Sequence, residues 1–156
     1  MRRNDREILD GESIKSIISD CHCLRLGLYD EGEVYIVPLN FGYAEQDGKI
    51  SFYFHGAKEG RKIDLISKTH RAGFEMDANY ALNEGESACE YSARFRSVIG
   101  IGRVEFIEDA AEKEAALQAI MHQSTSKSGW SFSDAMLASV CVFKLEVEKI
   151  SCKEHL

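Results

Sequence analysis

The chain has 156 residues, a length that favours a single domain over residues 1–156 and a core that needs no disulfide or metal. Its hydrophobic fraction of 44% and aromatic fraction of 10% exclude an intrinsically disordered protein. The net charge of -7 argues against a nucleic-acid partner, because an acidic chain repels phosphate overall and any anion site must be local.

The cysteines and the hydropathy pattern predict a cytoplasmic protein with no membrane partner. Five cysteines cannot all pair with one another, and the start MRRNDREILD lacks the apolar segment of a signal peptide. No apolar run approaches the roughly 18–20 residues that span a bilayer. Cys21 and Cys23 flank His22, but no second ligand pair stands at zinc spacing, so we expect thiols at a helix–strand junction and no metal site.

Helices are predicted at three places along the chain. The first covers residues 11–22, where apolar residues recur at helical spacing, and the second covers residues 60–68. A third begins after Asp109, with Glu112 completing a D-x-x-E capping box.

Alternating apolar residues predict six strands, with loops at residues 79–88 and 131–134. The turn sequences DEGE, residues 30–33, and EQDGK join the first three strands as hairpins. In the third strand Phe52 and Phe54 share one face, and Tyr53 and His55 share the other. The predicted strands cover residues 24–29, 34–43, 50–55, 71–77, 89–107 and 140–150.

Short connections between these strands indicate an antiparallel sheet, because parallel pairing needs a crossover after nearly every strand. A strongly twisted sheet of six strands tends to close, which removes exposed edges. Gly100 and Gly102 in the long fifth strand are candidate positions for a bulge or bend. The sequence therefore predicts a mainly β, α+β fold: a small six-stranded antiparallel barrel with helices packed outside it.

Pro38 is the only proline and lies inside the predicted strand YIVPLNFGY. Proline has no N–H to donate to a ladder, so it is confined to edge strands and bulges. The residue is consistent with an ordinary edge strand, and also with a strand whose backbone faces a ligand instead of a neighbouring strand.

A basic loop stands between the third strand and the second helix in YFHGAKEGRKIDLI, residues 53–66. A helix N-terminus offers free N–H groups and partial positive charge, and Gly60 allows an anion to approach it. Arg61 can bind a phosphate in a forked manner, and Lys58 or Lys62 adds a point charge. The pattern is typical of a phosphate site; a solvated charged loop is the alternative.

These segments resemble the pyridoxamine 5′-phosphate oxidase-related, FMN-binding split-barrel proteins, and among them the Nim-type 5-nitroimidazole resistance proteins. The resemblance rests on MRRNDREI, YIVPLNFGY, YFHGAKEGRKIDLI and FRSVIGIGRVEFIED, which span nearly the whole chain. It implies a six-stranded split barrel and a homodimer with FMN held where the two subunits meet. It also implies an oxidoreductase that takes electrons from a nicotinamide or another small donor and reduces a small electron-poor acceptor such as a nitroaromatic.

The resemblance also assigns candidate cofactor-binding residues wherever this sequence matches the family pattern. YIVPLN resembles the family's strand beside the flavin ring, and FHG resembles the end of the next strand. GRK resembles the arginine–lysine pair that holds the flavin phosphate in the family. RSV resembles the segment at the polar edge of the ring, where pyridoxamine phosphate oxidases proper have glutamine. The candidates are Val37, Pro38, Asn40, His55, Gly56, Lys58, Arg61, Lys62 and Ser97.

His55 is the candidate catalytic residue, because Nim-type relatives have a histidine at this position and a histidine exchanges protons near neutral pH. The chain ends in ISCKEHL, without the arginine-containing segment that grips the vitamin phosphate, so it is not expected to be a vitamin B6 enzyme. Two alternatives remain: a non-catalytic flavin carrier or sensor, and a haem-binding barrel with His55, His70 or His122 as axial ligand.

Overall fold

The computed structural model describes residues 4–156, so the first three residues of the MRRNDREI motif lie outside the described part of the chain. A short 3-10 helix, Asn4–Arg6, precedes the sheet. The strands are β1 Glu7–Ile8, β2 Leu24–Asp30, β3 Glu33–Leu39, β4 Gly42–Gln46, β5 Lys49–Gly56, β6 Arg71–Asn83, β7 Ser92–Ile107 and β8 Cys141–His155. The helices are α1 Gly11–Asp20, α2 Arg61–Thr69, α3 Ala110–Thr125 and α4 Asp134–Ser139.

The strands form one antiparallel sheet in the order β3-β2-β6-β7-β8-β5-β4, with β1 paired to β8. Antiparallel pairing and flanking helices confirm the predicted fold class. The described residues form eight strands, not six, because β1 was not predicted and the predicted strand 34–43 divides at Asn40 and Phe41 into β3 and β4. These two residues carry the chain from one end of the sheet to the other, so the barrel is split between β3 and β4.

Further boundaries differ from the prediction: β7 begins at Ser92 instead of residue 89, and β8 continues to His155 instead of ending at residue 150. Residues 79–83, predicted as loop, continue β6, and a register shift between Ala78 and Ala81 accommodates Asn79 with a φ of 59°. The helix α4 begins at Asp134, the last residue of the predicted SFSD loop, and its first turn is capped by Ser133. The predicted irregularity in β7 is confirmed as a register shift between Ile101 and Gly102.

Aromatic side chains on the inner face of the sheet form the centre of the core. Phe54 of β5 stacks on Phe143 of β8 with ring centroids 5.1 Å apart, and Phe52 lies edge-on to Phe74. Burying one such ring contributes about 1.5–3 kcal/mol relative to exposing it. The end of β5, where the basic loop begins, is therefore fixed against β8 by the core.

The helices pack outside the sheet at defined contacts. α3 approaches Gly42 of β4 so closely that a Cβ there would lie 2.5 Å from the backbone nitrogen of Ile120. As predicted, Asp109 caps α3: its carboxylate accepts a hydrogen bond from the amide of Glu112 at 2.9 Å. No helix within residues 4–156 has the length and apolar content needed to cross a membrane.

Candidate functional site

The turn from β5 into α2 forms a concentrated basic site, which we call the basic corner: Gly56, Lys58, Arg61, Lys62 and the first amides of α2. Gly60 precedes the helix with a φ of 123°, a conformation that favours glycine, and no side chain in the described part of the chain caps the helix. The Gly60 carbonyl accepts hydrogen bonds from the amides of Ile63 and Asp64. The amides before these have no partner inside the helix, so the end of α2 presents N–H groups and partial positive charge.

The ammonium group of Lys62 lies at the end of β5, on the inner face of the sheet. A Cβ built on Gly56 would be 2.8 Å from Lys62 Nζ, so the absence of a side chain at Gly56 leaves the space that this group occupies. The same nitrogen stands 6.0 Å from the centroid of the Phe143 ring. Within residues 4–156, neither Lys62 nor Lys58 forms an ion pair with a carboxylate. Both positive charges remain available to an anion.

Arg61 extends to the β2–β3 hairpin instead. Its Nε and Nη2 both donate to Asp30 Oδ2, at 3.0 and 2.8 Å, and Nη2 is 3.9 Å from Glu33 Oε2. The guanidinium also lies 4.7 Å from the centroid of the Tyr35 ring. The N-terminus of α2 therefore bridges the two sides of the split, with Arg61 on the β3 side and Lys62 on the β5 side.

His55 lies one residue before Gly56 and on the opposite face of β5. It pairs with Val142 of β8, and its side chain is exposed on the outer face. His55 and the Lys62 ammonium are therefore close along the chain but occupy different faces of the strand.

The predicted residues of β3 lie along one side of the split. Val37 is half-buried against the core, Pro38 is exposed opposite Arg25, and Asn40 is exposed in the two-residue break before β4. Because β3 pairs only with β2 in the described chain, Pro38 lies on an edge strand, as its missing N–H requires.

Ser97 stands apart from the basic corner. It is half-buried on β7, paired with Asp77 and Lys153, and two strands separate β7 from β3. Strand pairing nevertheless aligns Pro38, Arg25, Glu75 and Ile99 in a row, with Ser97 two residues beyond Ile99 on the same outer face. Pro38 and Ser97 thus share one surface of the sheet.

Cys141 begins β8 opposite Gly56 and was not singled out by its sequence context. Burial raises the pKa of this thiol, and the nearby Glu108 carboxylate raises it further. Positive charge opposes both effects, chiefly that of Lys113 and then that of Lys62 and Lys58. The thiol therefore lies within the electrostatic reach of the basic corner and of a lysine from α3.

Sequence reasoning missed the partners of these residues. Asp30 and Arg61 are 31 residues apart, and Lys113 lines the same cavity as Lys58 only because α3 packs across the outer side of β5. The capping motif before α3 placed the helix correctly, but no local pattern indicates which side chains it brings to the corner.

Comparison with known proteins identifies relatives of the chain. A model of the pyridoxamine 5′-phosphate oxidase family matches residues 10–154. A solved structure from Bacteroides thetaiotaomicron, a candidate 5-nitroimidazole antibiotic resistance protein, is 36% identical with a TM-score of 0.81; the match covers 94% of this chain and 85% of that one. None of the curated proteins matches.

Two more distant structures share the fold. The flavocytochrome Anf3 from Azotobacter vinelandii is 22% identical with a TM-score of 0.80, and the match covers all of this chain and 72% of that one. An FAD- and haem-binding protein from Mycobacterium smegmatis is 19% identical with a TM-score of 0.78, over 96% and 73% of the two chains. The family match, which covers nearly the whole sheet, establishes that this chain belongs to the pyridoxamine 5′-phosphate oxidase family.

Proposed function

We propose that the chain is a flavin-dependent oxidoreductase that binds the phosphate of an FMN unit in the basic corner. The observation that carries the proposal is the position of Lys62 Nζ in the space left by the absent side chain of Gly56, beside the uncapped end of α2. Ammonium, guanidinium and helix-terminal amides are the groups that proteins use to hold phosphate. The donor set therefore fits the predicted cofactor.

The flavin would supply the electron chemistry, and the protein would supply position and electrostatics. Lys62 and Lys58 would hold the phosphate from the β5 side. Arg61 would add donors from the β3 side, because two of its nitrogens bond Asp30 and its remaining N–H groups are left for an anion. Val37, Pro38 and Asn40 would border the ring at the split.

The proposed acceptor is a nitroaromatic compound, with a nicotinamide or another small molecule as electron donor. The 36% identity to a candidate 5-nitroimidazole resistance protein supports this class. Reduction of a nitro group consumes protons as well as electrons, and the exposed imidazole of His55 would donate a proton to a reduced nitro oxygen.

The role of His55 is testable with a conservative variant. His55→Gln should keep the flavin affinity within about twofold and reduce nitroaromatic turnover by about tenfold to a hundredfold, the low end of general acid catalysis. Full turnover in His55→Gln would remove His55 from the mechanism.

We further propose that two copies meet through the outer face of β3, β2, β6 and β7, which we call the apolar face. Val34, Ile36, Ile99 and Ile101 are 68, 61, 50 and 38% exposed on it. Ile36 and Ile101 lie in one row across the four strands, with Gly27 and Gly73 between them, and exposed apolar side chains grouped in this way mark an interaction site. Pro38 and Ser97 share this face, so a partner copy seated there would complete the ring side of the cofactor site.

We propose that the protein resides in the cytoplasm, where its five cysteines remain free thiols. The visible spectrum of the purified protein tests the assignment of a flavin cofactor. Flavin bands that bleach with a nicotinamide donor and return with a nitroaromatic support the proposal. A flavin that no donor reduces indicates a carrier or sensor, and a Soret band indicates haem. The candidate haem ligands His55, His70 and His122 are all exposed and lie on separate elements.

A further inference from the structure

A cavity of about 280 Å³ opens between the start of α2 and the start of α3, where two parts of the hydrophobic core meet. Phe106 packs against the main core inside the sheet, whereas Val140 packs against a smaller core under α3 and α4. Both side chains line the cavity, and so does Ile63 of α2. All three are only half-buried, so apolar surface at the junction of the two cores remains open to a ligand.

Lys113 of α3 brings a positive charge to this apolar cavity. Its side chain is only 14% exposed, and its ion-pair partner Glu108 Oε2 is 3.7 Å from Nζ, beyond hydrogen-bond distance. Within residues 4–156 the ammonium has no other ion pair and donates no hydrogen bond. An ammonium group has three donors, and leaving them unsatisfied away from water is unfavourable. The cavity is the side from which an acceptor can reach this group.

The charges around the cavity favour a monoanion. Its lining contains two ammonium groups, those of Lys58 and Lys113, and one carboxylate, that of Glu108, which leaves one positive charge unbalanced. The Glu108 side chain is 86% exposed, so its attraction to Lys113 is weakened by solvent. Cys141 also lines the cavity and stays a neutral thiol, because burial raises its pKa. One incoming carboxylate would balance this lining, whereas a phosphate dianion would leave an excess of negative charge.

The volume of the cavity restricts the ligand to a compact molecule. Clefts for small molecules measure about 300–1,000 Å³, and this cavity lies at their lower limit. The space therefore suits a single ring or one branched chain attached to the anionic group.

We propose that this cavity binds a small monocarboxylate with a compact apolar body, such as an aromatic or branched-chain acid. The carboxylate would accept hydrogen bonds from Lys113, with Lys58 adding positive charge at the margin, and the ring or chain would contact the apolar walls. Lys62, the lysine that carries the proposed flavin phosphate site, is not among the residues that line the cavity. The proposal therefore does not depend on a bound flavin.

Calorimetric titration of the full-length protein with sodium benzoate, benzamide and inorganic phosphate tests this proposal. Benzoate should bind at least about tenfold more tightly than benzamide, which has nearly the same shape without the charge, since one charge-assisted hydrogen bond contributes enough for that ratio. Phosphate should bind more weakly than benzoate, because it gains nothing from the apolar walls. Saturating benzoate should also raise the Tm, because a ligand that binds only the folded state stabilises it.

Two variants act on the cavity, and thermal unfolding of each shows whether it is folded. Lys113→Met keeps an apolar side chain and removes the charge, so it should reduce the advantage of benzoate over benzamide to about twofold or less. Val140→Trp fills the space and should weaken both ligands by at least about tenfold. The control Lys68→Met, at the other end of α2, removes the same charge outside the cavity and should alter neither affinity.

Four results would overturn the proposal. If benzoate does not bind, or binds no better than benzamide, the Lys113 ammonium does not recognise a carboxylate. A benzoate advantage that persists in Lys113→Met would place the carboxylate elsewhere on the protein. Phosphate affinity above benzoate affinity would indicate an inorganic anion site in which the apolar walls have no role. Complete displacement of benzoate by FMN would make the cavity part of the flavin site.

Discussion

Lys62 and Arg61 are neighbours in sequence, but their charges lie in different surroundings. Lys62 lies against Gly56 and Phe143 and has no ion pair with an acid among residues 4–156, whereas Arg61 is partly neutralised by Asp30 and Glu33. A positive charge that already pairs with a carboxylate has less to offer a phosphate. For the proposed phosphate site we therefore expect Lys62 to contribute more than Arg61, an order that the GRK motif alone does not indicate.

Lys62→Ala should weaken flavin nucleotide binding by about tenfold to a hundredfold, because a hydrogen bond to a charged group contributes roughly 1.5–3 kcal/mol. Arg61→Ala should cost less, and Asp30→Asn should strengthen binding by freeing the guanidinium. Fluorescence titration of the three variants gives the ranking. A larger loss in Arg61→Ala than in Lys62→Ala would place the phosphate on the β3 side of the split.

Cys21 should make the free energy of unfolding depend on alkaline pH. Burial raises the pKa of this thiol from 9.0 to about 12, with further increases from Asp77 and Asp20. The unfolded chain therefore loses this proton near pH 9 while the folded chain keeps it. The resulting stability is fully present below pH 9 and is lost as pH rises towards 12.

Urea unfolding of wild type and Cys21→Ala at pH 8 and pH 10 measures this effect. The stability difference between the two proteins should shrink by about 1.4 kcal/mol over that interval, because only the wild type has this thiol to ionise. Equal differences at both pH values would mean that the folded and unfolded states bind this proton equally well.

At the scale of elements, α3 depends on a close approach to β4. A side chain at Gly42 would meet the backbone of Ala119 and Ile120, neither of which can move without shifting the helix. Gly42→Ala should therefore lower the free energy of unfolding by roughly 1–3 kcal/mol, the usual cost of overpacking. Urea denaturation measures the loss.

The matched control is Gly11→Ala, since no atom of the described residues lies within 4 Å of a Cβ at Gly11. It should leave stability unchanged or raise it slightly, because alanine favours the helix. Equal stability of Gly42→Ala and the wild type would mean that α3 is free to shift away from β4.

The sequence predicted elements well wherever a local signal marks their ends. Asp109 is the N-cap of α3, as the capping motif predicted. The predicted turn between β4 and β5 is also present, at Asp47 and Gly48 with φ values of 52 and 74°. The break at Asn40 carries no turn signal, because the chain passes to the far end of the sheet instead of reversing. The sequence pattern did not predict that β6 extends past Asn79, because the pairing register of the strand shifts between Ala78 and Ala81.

The site was predictable only where its residues are contiguous. The turn from Gly56 to Lys62 could be recognised as a possible phosphate site from its own sequence. The pairing of Arg61 with Asp30, and the approach of Lys113 to Cys141, depend on strand order and helix packing. Such contacts arise from the tertiary fold, and a single sequence does not encode them in any local spacing.

At the scale of the whole molecule, the apolar face predicts a dimer. Ile36 is 61% exposed on that face, on its edge strand β3, so Ile36→Lys should bury a charge in the interface and separate the copies. Light scattering should give twice the 17.5 kDa chain mass for the wild type and the single chain mass for the variant. Met136→Lys, on the exposed side of α4, should remain dimeric. Identical masses for Ile36→Lys and the wild type would exclude this face as the interface.

The split between β3 and β4 would connect the proposed dimer interface to the proposed cofactor site. Arg61 and Lys62 connect its two sides through α2, and Pro38 carries the site onto the apolar face. Loss of the dimer in Ile36→Lys should therefore also weaken flavin binding, although Ile36 is not among the candidate ligands. Light scattering and flavin titration of the same sample test this linkage.

The central claim is that the basic corner recognises the phosphate of a flavin nucleotide, and the ratio of FMN to riboflavin affinity tests it most directly. Riboflavin has the same ring and ribityl chain without the phosphate, so only the corner distinguishes the two ligands. The account predicts that the wild type binds FMN at least about tenfold more tightly than riboflavin, and that Lys62→Ala reduces this ratio. Equal affinities for FMN and riboflavin in the wild type would contradict it.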